Sequence, residues 1–223
     1  MNMVEFFRDG AELIPAACNA AQLQEIEQAL AGVEKNEPGV RLYGNNQLND
    51  FLEIEGTVGR LAARWIGEKA KPVRAIFFDK SANANWALGW HQDRVIVVKE
   101  KIETIGFENW TIKAGNWHVS PPFPILESML TLRLHLDPVD ADNAPLLIAV
   151  ASHMLGQISE DRVKVVVESS IQLSCLAERG DVWVYSTPIL HASARSHSQT
   201  GRRVLQIDYS ASQLDGGLQW LGV

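Results

Sequence analysis

MLTLRLHLDPVDADNAPLLIAV, residues 129–150, decides how the rest of the chain is read. Leu130, Leu132, Leu134 and Leu136 alternate with Thr131, Arg133 and His135. Alternation with period two places the two sets on opposite faces of a strand. PVDADNAP then supplies turn chemistry, and PLLIAV begins another strand. The polar face of the first strand is open to two uses, a surface in solvent or the wall of a pocket.

The same texture recurs on both sides. VRAIFFD (73–79), RVIVV (94–98), IQLSC (171–175), DVWVYS (181–186), ILHAS (189–193) and RRVLQIDYS (202–210) also read as short strands. Turn-forming runs such as ANAN (82–85), AERGD (177–181) and SHSQTG (196–201) separate them. Eight short strands beyond Pro72 point to an antiparallel sandwich or jelly roll. Before Pro72 the chain reads as helical. AAQLQEIEQALAGV (20–33) carries Leu23, Ile26 and Leu30 at helical spacing, with Asn19 as N-cap and Gly32 near its end. A second helix is expected through LNDFLEIEGTVGRLAARWIG (48–67). Residues 99–128, containing Trp110, Trp117, His118 and PPFP, form a long insert of the kind that serves as a lid or binding loop. SEDRVKVVVESS (159–170) fits a capped helix and a strand equally well.

With 223 residues, 46% of them hydrophobic, and seven tryptophans, the chain can bury a sizeable core. It is read as one domain, 1–223: helical support over 1–70, and a jelly-roll core over 71–223 with the insert at 99–128. A net charge of −7 and a pI near 5.4 argue against a nucleic-acid backbone or an anionic membrane as partner. Cys18 and Cys175 lack metal-type spacing and are expected to be buried reduced thiols. The opening MNMVEFFRDGAELIP has no signal pattern, and no apolar run nears the roughly 18 residues of a spanning helix. A cytoplasmic location is expected; the oligomeric state is not legible.

Six histidines carry the chemistry: His91, His118, His135, His153, His191 and His197. Two of them open an H-x-D triplet, HQD at 91–93 and HLD at 135–137. In a strand, residues i and i+2 share a face, so either triplet offers an imidazole and a carboxylate to one ion. A distant histidine would complete a two-histidine, one-carboxylate face, which leaves coordination positions open and suits Fe(II) oxygen chemistry. His191 is the candidate. Arg202 lies eleven residues beyond it, where a guanidinium can grip the far carboxylate of a bidentate dicarboxylate, and the Ser193 hydroxyl can share that load. More strands separate Asp93 than Asp137 from His191, and Asp137 is explicable as a turn cap, so His91 and Asp93 are favoured. Arg203, Leu205, Ile207 and Tyr209 share the apolar face of their strand, whereas Arg202, Val204, Gln206 and Asp208 share the mixed one. Spacing to His191 favours Arg202 over Arg203. His118 and His153 read as satisfied loop histidines, and His197 as part of a solvated turn. Trp86, Trp90, Trp110 and Trp117 serve either an aromatic pocket or the core.

FFDKSANANW leading into WHQDR, LRLHLDPVDADNAPLLIAVASHMLG and HASARSHSQTGRR together resemble the phytanoyl-CoA dioxygenase family of Fe(II)- and 2-oxoglutarate-dependent oxygenases, in particular its small bacterial members. The resemblance runs from about residue 70 onward. It implies a mainly β fold with flanking α-helices, a double-stranded β-helix or cupin-like jelly roll with N-terminal helices. It implies that His91, Asp93 and His191 bind Fe(II). Arg202 and Ser193 would hold the 2-oxoglutarate C5 carboxylate, with Lys80 as a further contact. The implied reaction consumes O2 and 2-oxoglutarate, releases succinate and CO2, and hydroxylates a small organic molecule. Related halogenases lack the carboxylate ligand, which here is present as Asp93. The chain departs from the family's glycines at Ala144 and at Val150-Ala151, a loss that a turn tolerates if φ stays negative. Two readings from other classes compete. One is a cupin-like metalloenzyme that does not use 2-oxoglutarate, although the H-x-H pair usual there is missing. The other is a non-catalytic small-molecule-binding member of the fold.

Overall fold

A computed structural model describes residues 5–33, 39–80, 85–196, 198 and 201–223. His197 and most of the ANAN turn lie outside the described residues. The chain begins with α1 (Phe6–Asp9), β1 (Ala11–Ile14), α2 (Ala20–Ala29), β2 (Val40–Leu42), α3 (Asn46–Leu52) and α4 (Thr57–Ile66). It continues through β3 (Lys71–Lys80), β4 (Leu88–His91), β5 (Ile96–Val98), β6 (Glu108–Lys113), β7 (Asn116–Ser120) and α5 (Phe123–Glu127). It ends with β8 (Leu130–His135), β9 (Leu146–Ala149), α6 (Glu160–Ser169), β10 (Gln172–Cys175), β11 (Val182–Ser186), β12 (His191–Ser193) and β13 (Arg202–Ser210).

Three antiparallel sheets result. The large one has the order β1-β11-β8-β13-β3-β2, the second β10-β9-β12-β4, and the third β5-β7-β6. All eight strands read from the sequence are present, in an open-sheeted jelly roll. Period two explains the large sheet's two faces. Leu130, Leu132, Leu134, Val184, Leu205, Ile207 and Tyr209 pack with Leu23, Ile26, Leu48, Leu52, Val58 and Ala62 of the N-terminal helices. The opposite face carries Thr131, Arg133 and His135, and the register sets Asp208, Gln206 and Val204 beside them. That polar face is therefore an interior wall, which settles the two uses left open above. At one end it is closed by Trp183 and Tyr185 packing on Leu146 and Ile148 of the second sheet.

Several local expectations change. Asn19 caps α2 in a reciprocal box, with Gln22 N donating to its Oδ1 at 3.0 Å and its own N donating to Gln22 Oε1 at 2.9 Å. The single helix expected over 48–67 is two, broken at residues 53–56. Gly56 and Gly59 allow the break: a Cβ on Gly59 would stand 1.9 Å from the Glu53 carbonyl oxygen. The N-terminal third is not helical throughout, because β1 and β2 form both edges of the large sheet. The 99–128 insert is built around an ordered β6–β7 hairpin, with β7 pairing on β5, followed by α5. SEDRVKVVVESS is helical as α6, with Ser159 at the N-cap and two acids in the first turn that complement the helix dipole. Cys18 and Cys175 are free and buried, and burial pushes the Cys18 thiol up to about 11.

Candidate metal centre

β4 and β12 are antiparallel neighbours, and their register puts His91 directly opposite His191. The imidazole centroids lie 4.3 Å apart. Asp93 follows two residues after His91, and one ligand atom from each of the three lies within 4.8 Å of the others. Each histidine is oriented alike. His91 Nδ1 lies 2.8 Å from Gly89 O, and His191 Nδ1 lies 2.9 Å from Ile189 O. Nδ1–H donating to a carbonyl leaves the Nε2 lone pair for the cluster. The middle residue of HQD acts as a clamp. Gln92 Nε2 donates to Gly156 O and Pro188 O at 3.0 and 2.8 Å, and Gln92 Oε1 accepts from Ile158 N at 2.8 Å. Its buried amide holds the backbone so that the residues on either side face one way.

Behind Asp93 stands a network absent from the reading of the sequence. Arg74 of β3 donates through Nη2 to Asp93 Oδ2 at 3.1 Å and through Nε to Asp208 Oδ2 at 2.5 Å. Thr131 Oγ1 donates to Asp208 Oδ1 at 3.0 Å. Burial pushes the Asp93 carboxyl up, but Arg74 and the two imidazoles prevail and hold it below the usual carboxylate range. For Asp208 burial wins, and its carboxyl is raised. Burial, only partly opposed by Asp93, pushes His191 down to about 4, so its imidazole is neutral at pH 7.

These side chains open on a cavity of about 350 Å³. It also holds Lys80, Arg133, Ser193, Arg202 and Gln206. Arg202 pairs across the ladder with Lys80, which places both on the inner face. Arg203 points the other way, to Asp137 and Glu27. Lys80 Nζ donates to Ser193 Oγ at 3.0 Å and to Ala194 O at 2.7 Å. Arg202 donates to Ala144 O through Nη1, and its Nε has no partner among the described residues. Arg133 Nη1 donates to Gln206 Oε1 at 2.7 Å. Lys80, Arg133 and Arg202 thus lie buried with no carboxylate partner among the described residues. Burial, and then the neighbouring guanidiniums, lower Lys80 to about 7; burial and Arg133 lower Arg202 to about 9.

Not every histidine behaves as expected. His135 is buried with neither ring nitrogen bonded and does not line this cavity; its Asp137 binds Arg203 rather than capping a turn. Asp140 is the residue that caps the turn. His118 lies in β7, buried against the cavity with Nε2 unpartnered, and His153 has an unpartnered Nδ1. Neither is a satisfied loop histidine. Ala144 and Ala151 adopt left-handed backbone, at φ 51° and 63°, so the condition of a negative φ is not met at either alanine. Of the tryptophans, only Trp86 reaches the cavity, and Trp110 and Trp117 pack edge to face in the hairpin core.

The family model for phytanoyl-CoA dioxygenase matches residues 6–204. The chain belongs to the phytanoyl-CoA dioxygenase family. Solved structures share the family's fold. One is the non-heme alpha ketoglutarate dependent epimerase SnoN from nogalamycin biosynthesis, 13% identical, covering 95% of this chain and 87% of that one with a TM-score of 0.64. HygX from Streptomyces hygroscopicus with nickel and 2-oxoglutarate bound is 10% identical, with 92% and 84% coverage and a TM-score of 0.61. EctD from S. alaskensis in its apoform is 13% identical, with 98% and 78% coverage and a TM-score of 0.67. No protein of curated function matches the sequence. Fe(II), 2-oxoglutarate and O2 as the expected cofactors agree with the family; alpha ketoglutarate or 2-oxoglutarate is named for SnoN and HygX, and HygX is also solved with iron bound. Among the described residues, no helix is long and apolar enough to cross a membrane.

Arg74 is missed by sequence reasoning altogether; Arg133 is read only as part of a face that could wall a pocket, and Gln206, Asp208 and His118 are given no role in the site. Period two does place Arg133, Gln206 and Asp208 on the polar face. Nothing in the sequence says that Arg74 from another strand would lie between two carboxylates.

Proposed function

We propose that the protein is an Fe(II)- and 2-oxoglutarate-dependent oxygenase that hydroxylates a small organic molecule. One observation carries the reading: three buried cations without carboxylate partners share a cavity with a His-Asp-His cluster. Burying unpaired cations costs stability unless something anionic is bound there. A dicarboxylate that chelates a metal at one end and extends its other carboxylate toward Arg202 and Lys80 would remove that cost. A cupin-like enzyme without 2-oxoglutarate would leave these cations idle.

The donor set fits both groups. His91 and His191 direct Nε2 toward the cluster, the His191 imidazole being neutral, and Asp93 presents a carboxylate kept ionised by Arg74. These three would hold the metal, while Arg202, Ser193 and Lys80 would hold the C5 carboxylate. When bound, Fe(II) with 2-oxoglutarate and O2 supplies the oxidising power, with succinate and CO2 as by-products. The chain's own work is orientation: Gln92 fixes the turn, Arg74 fixes Asp93, and the apolar Ile76 and Phe78 exclude water from the chamber. Hydroxylation is proposed over the epimerisation named for SnoN because it requires only the metal, 2-oxoglutarate and O2 named above.

The test is an anaerobic titration of the metal-free protein with Fe(II) and 2-oxoglutarate, watching for the visible charge-transfer band of the chelate. The band is expected in the wild type and should vanish in Asp93→Ala. In Arg202→Ala it should require roughly 10- to 100-fold more 2-oxoglutarate. A wild type that binds Fe(II) yet shows no band would sink the reading.

A further inference from the structure

His91 and His191 stand in β4 and β12, but Asp93 falls in the irregular stretch between β4 and β5. Gln92 holds its backbone, which leaves the carboxylate free to turn about its own side-chain bonds. A ligand on an irregular segment keeps its aim only where something rigid grips it. The grip comes from the large sheet, which supplies none of the three ligands. Arg74 pairs in register with Asp208, and Asp208 with Thr131, so the three stand side by side across β3, β13 and β8. Cross-strand neighbours on one face move only if the ladder moves.

The bonds run along this row. Thr131 Oγ1, 3.0 Å from Thr187 Oγ1, donates to Asp208 Oδ1 at 3.0 Å. Asp208, 1% exposed, accepts from Arg74 Nε through Oδ2 at 2.5 Å. The guanidinium is thereby fixed at its near edge, and its Nη2 reaches Asp93 Oδ2 at 3.1 Å. The other oxygen, Asp93 Oδ1, lies 3.9 Å from His91 Nε2, near enough for one ion to touch both. The carboxylate thus has one oxygen turned to the cluster and one tied to the sheet. That division has a chemical use. Two imidazoles and one carboxylate oxygen leave coordination positions open, and a carboxylate that swung round to give both oxygens would close one of them.

We propose that Asp208 and Arg74 are positioning residues for the metal: Asp208, acting through Arg74, holds Asp93 to a single ligating oxygen, Oδ1. Thr131 anchors Asp208 in turn. This rests on the metal half of the reading above and needs nothing from 2-oxoglutarate. The competing use of the row is as scaffold, a buried ion pair that merely joins β3 to β13.

Co(II), whose visible bands report its coordination, separates the two uses when titrated into the metal-free full-length protein, with thermal melts run alongside. In Asp208→Asn the amide offers one acceptor where Thr131 and Arg74 need two, and Co(II) should bind about tenfold more weakly. Arg74→Lys, a point charge that cannot bridge two carboxylates, should weaken Co(II) by about 10- to 100-fold and move its bands. The double variant Arg74→Met/Asp208→Leu removes both members of the ion pair together, which leaves stability level or higher. It should keep its Tm, lose Co(II) affinity by about 10- to 100-fold and show bands shifted from the wild type. A double variant with the wild-type Tm, Co(II) Kd and bands would make the row scaffold alone and overturn the proposal. Asp208→Asn matching the wild type in Kd and bands would overturn the part given to Asp208. A wild type whose Co(II) binding is absent, or survives His191→Ala undiminished, overturns the metal reading instead and is seen before the row is touched.

Discussion

Lys80 is 2% exposed, opposite Arg202 in the ladder, and its ammonium is pushed down to about 7 by burial and by Arg202 and Arg133. Two opposite pH dependences follow. A bound dicarboxylate favours the protonated lysine, so 2-oxoglutarate affinity should fall as pH rises from 7 toward 9, by at most tenfold per unit. The slope should vanish in Lys80→Met, as measured by titration calorimetry. For the ligand-free protein the sign reverses. Between about 7 and 10.5 the unfolded chain holds a proton that the folded chain has lost, so stability should rise with pH in that window. Ala151 makes a second residue-scale case. Alanine at φ 63° strains the backbone by about 1 kcal/mol, so Ala151→Gly should leave stability unchanged or raise it by up to about 1 kcal/mol in urea melts, against the usual loss. A clear destabilisation would show that the αL backbone costs nothing there. Period two made Arg202, Gln206 and Asp208 legible as residues of one mixed face. It could not reveal the strain, because φ at Ala144 and Ala151 is imposed by neighbours distant in sequence.

Helix propensity and packing disagree at the junction of α3 and α4. By propensity, Gly59→Ala in a helix should stabilise by about 1 kcal/mol. A Cβ there would stand 1.9 Å from Glu53 O, which is backbone and cannot move aside cheaply. The substitution should therefore destabilise by about 1–3 kcal/mol and lower Tm by several degrees in calorimetry. An unchanged or higher Tm would mean that the two helices pack more loosely. This contact also explains why 48–67 reads as one helix: the apolar spacing is continuous, and the break comes from how close the second helix lies to the first. The reverse holds for the insert. Residues 99–128 read as a loop because β6 and β7 are short and exposed on one side, and they pair as strands by docking on β5.

For the molecule as a whole, the proposed binding role of the inner cations implies a trade of stability for binding. Replacing Arg202 by methionine removes a buried charge whose Nε has no partner. The ligand-free protein should hold its Tm or gain the equivalent of about 1–3 kcal/mol. Saturating 2-oxoglutarate at about 100 wild-type Kd should add about 2.7 kcal/mol to the wild type and only about 0.4–1.4 kcal/mol to Arg202→Met, whose affinity should be 10- to 100-fold weaker. A variant that loses stability yet still responds to 2-oxoglutarate as strongly as the wild type would assign Arg202 to the scaffold. The eight strands of the jelly roll, the H-x-D triplet and the spacing from His191 to Arg202 were legible in the sequence, because period two and short spacings are local properties. Local properties could not rank HQD above HLD by geometry, turn Arg203 outward to Asp137 and Glu27, or set Arg74 between Asp93 and Asp208. Those outcomes depend on which strands become neighbours, and strand order is chosen by burying the leucine face of β8 against the helices. Closing the other, polar face into a chamber follows from that burial.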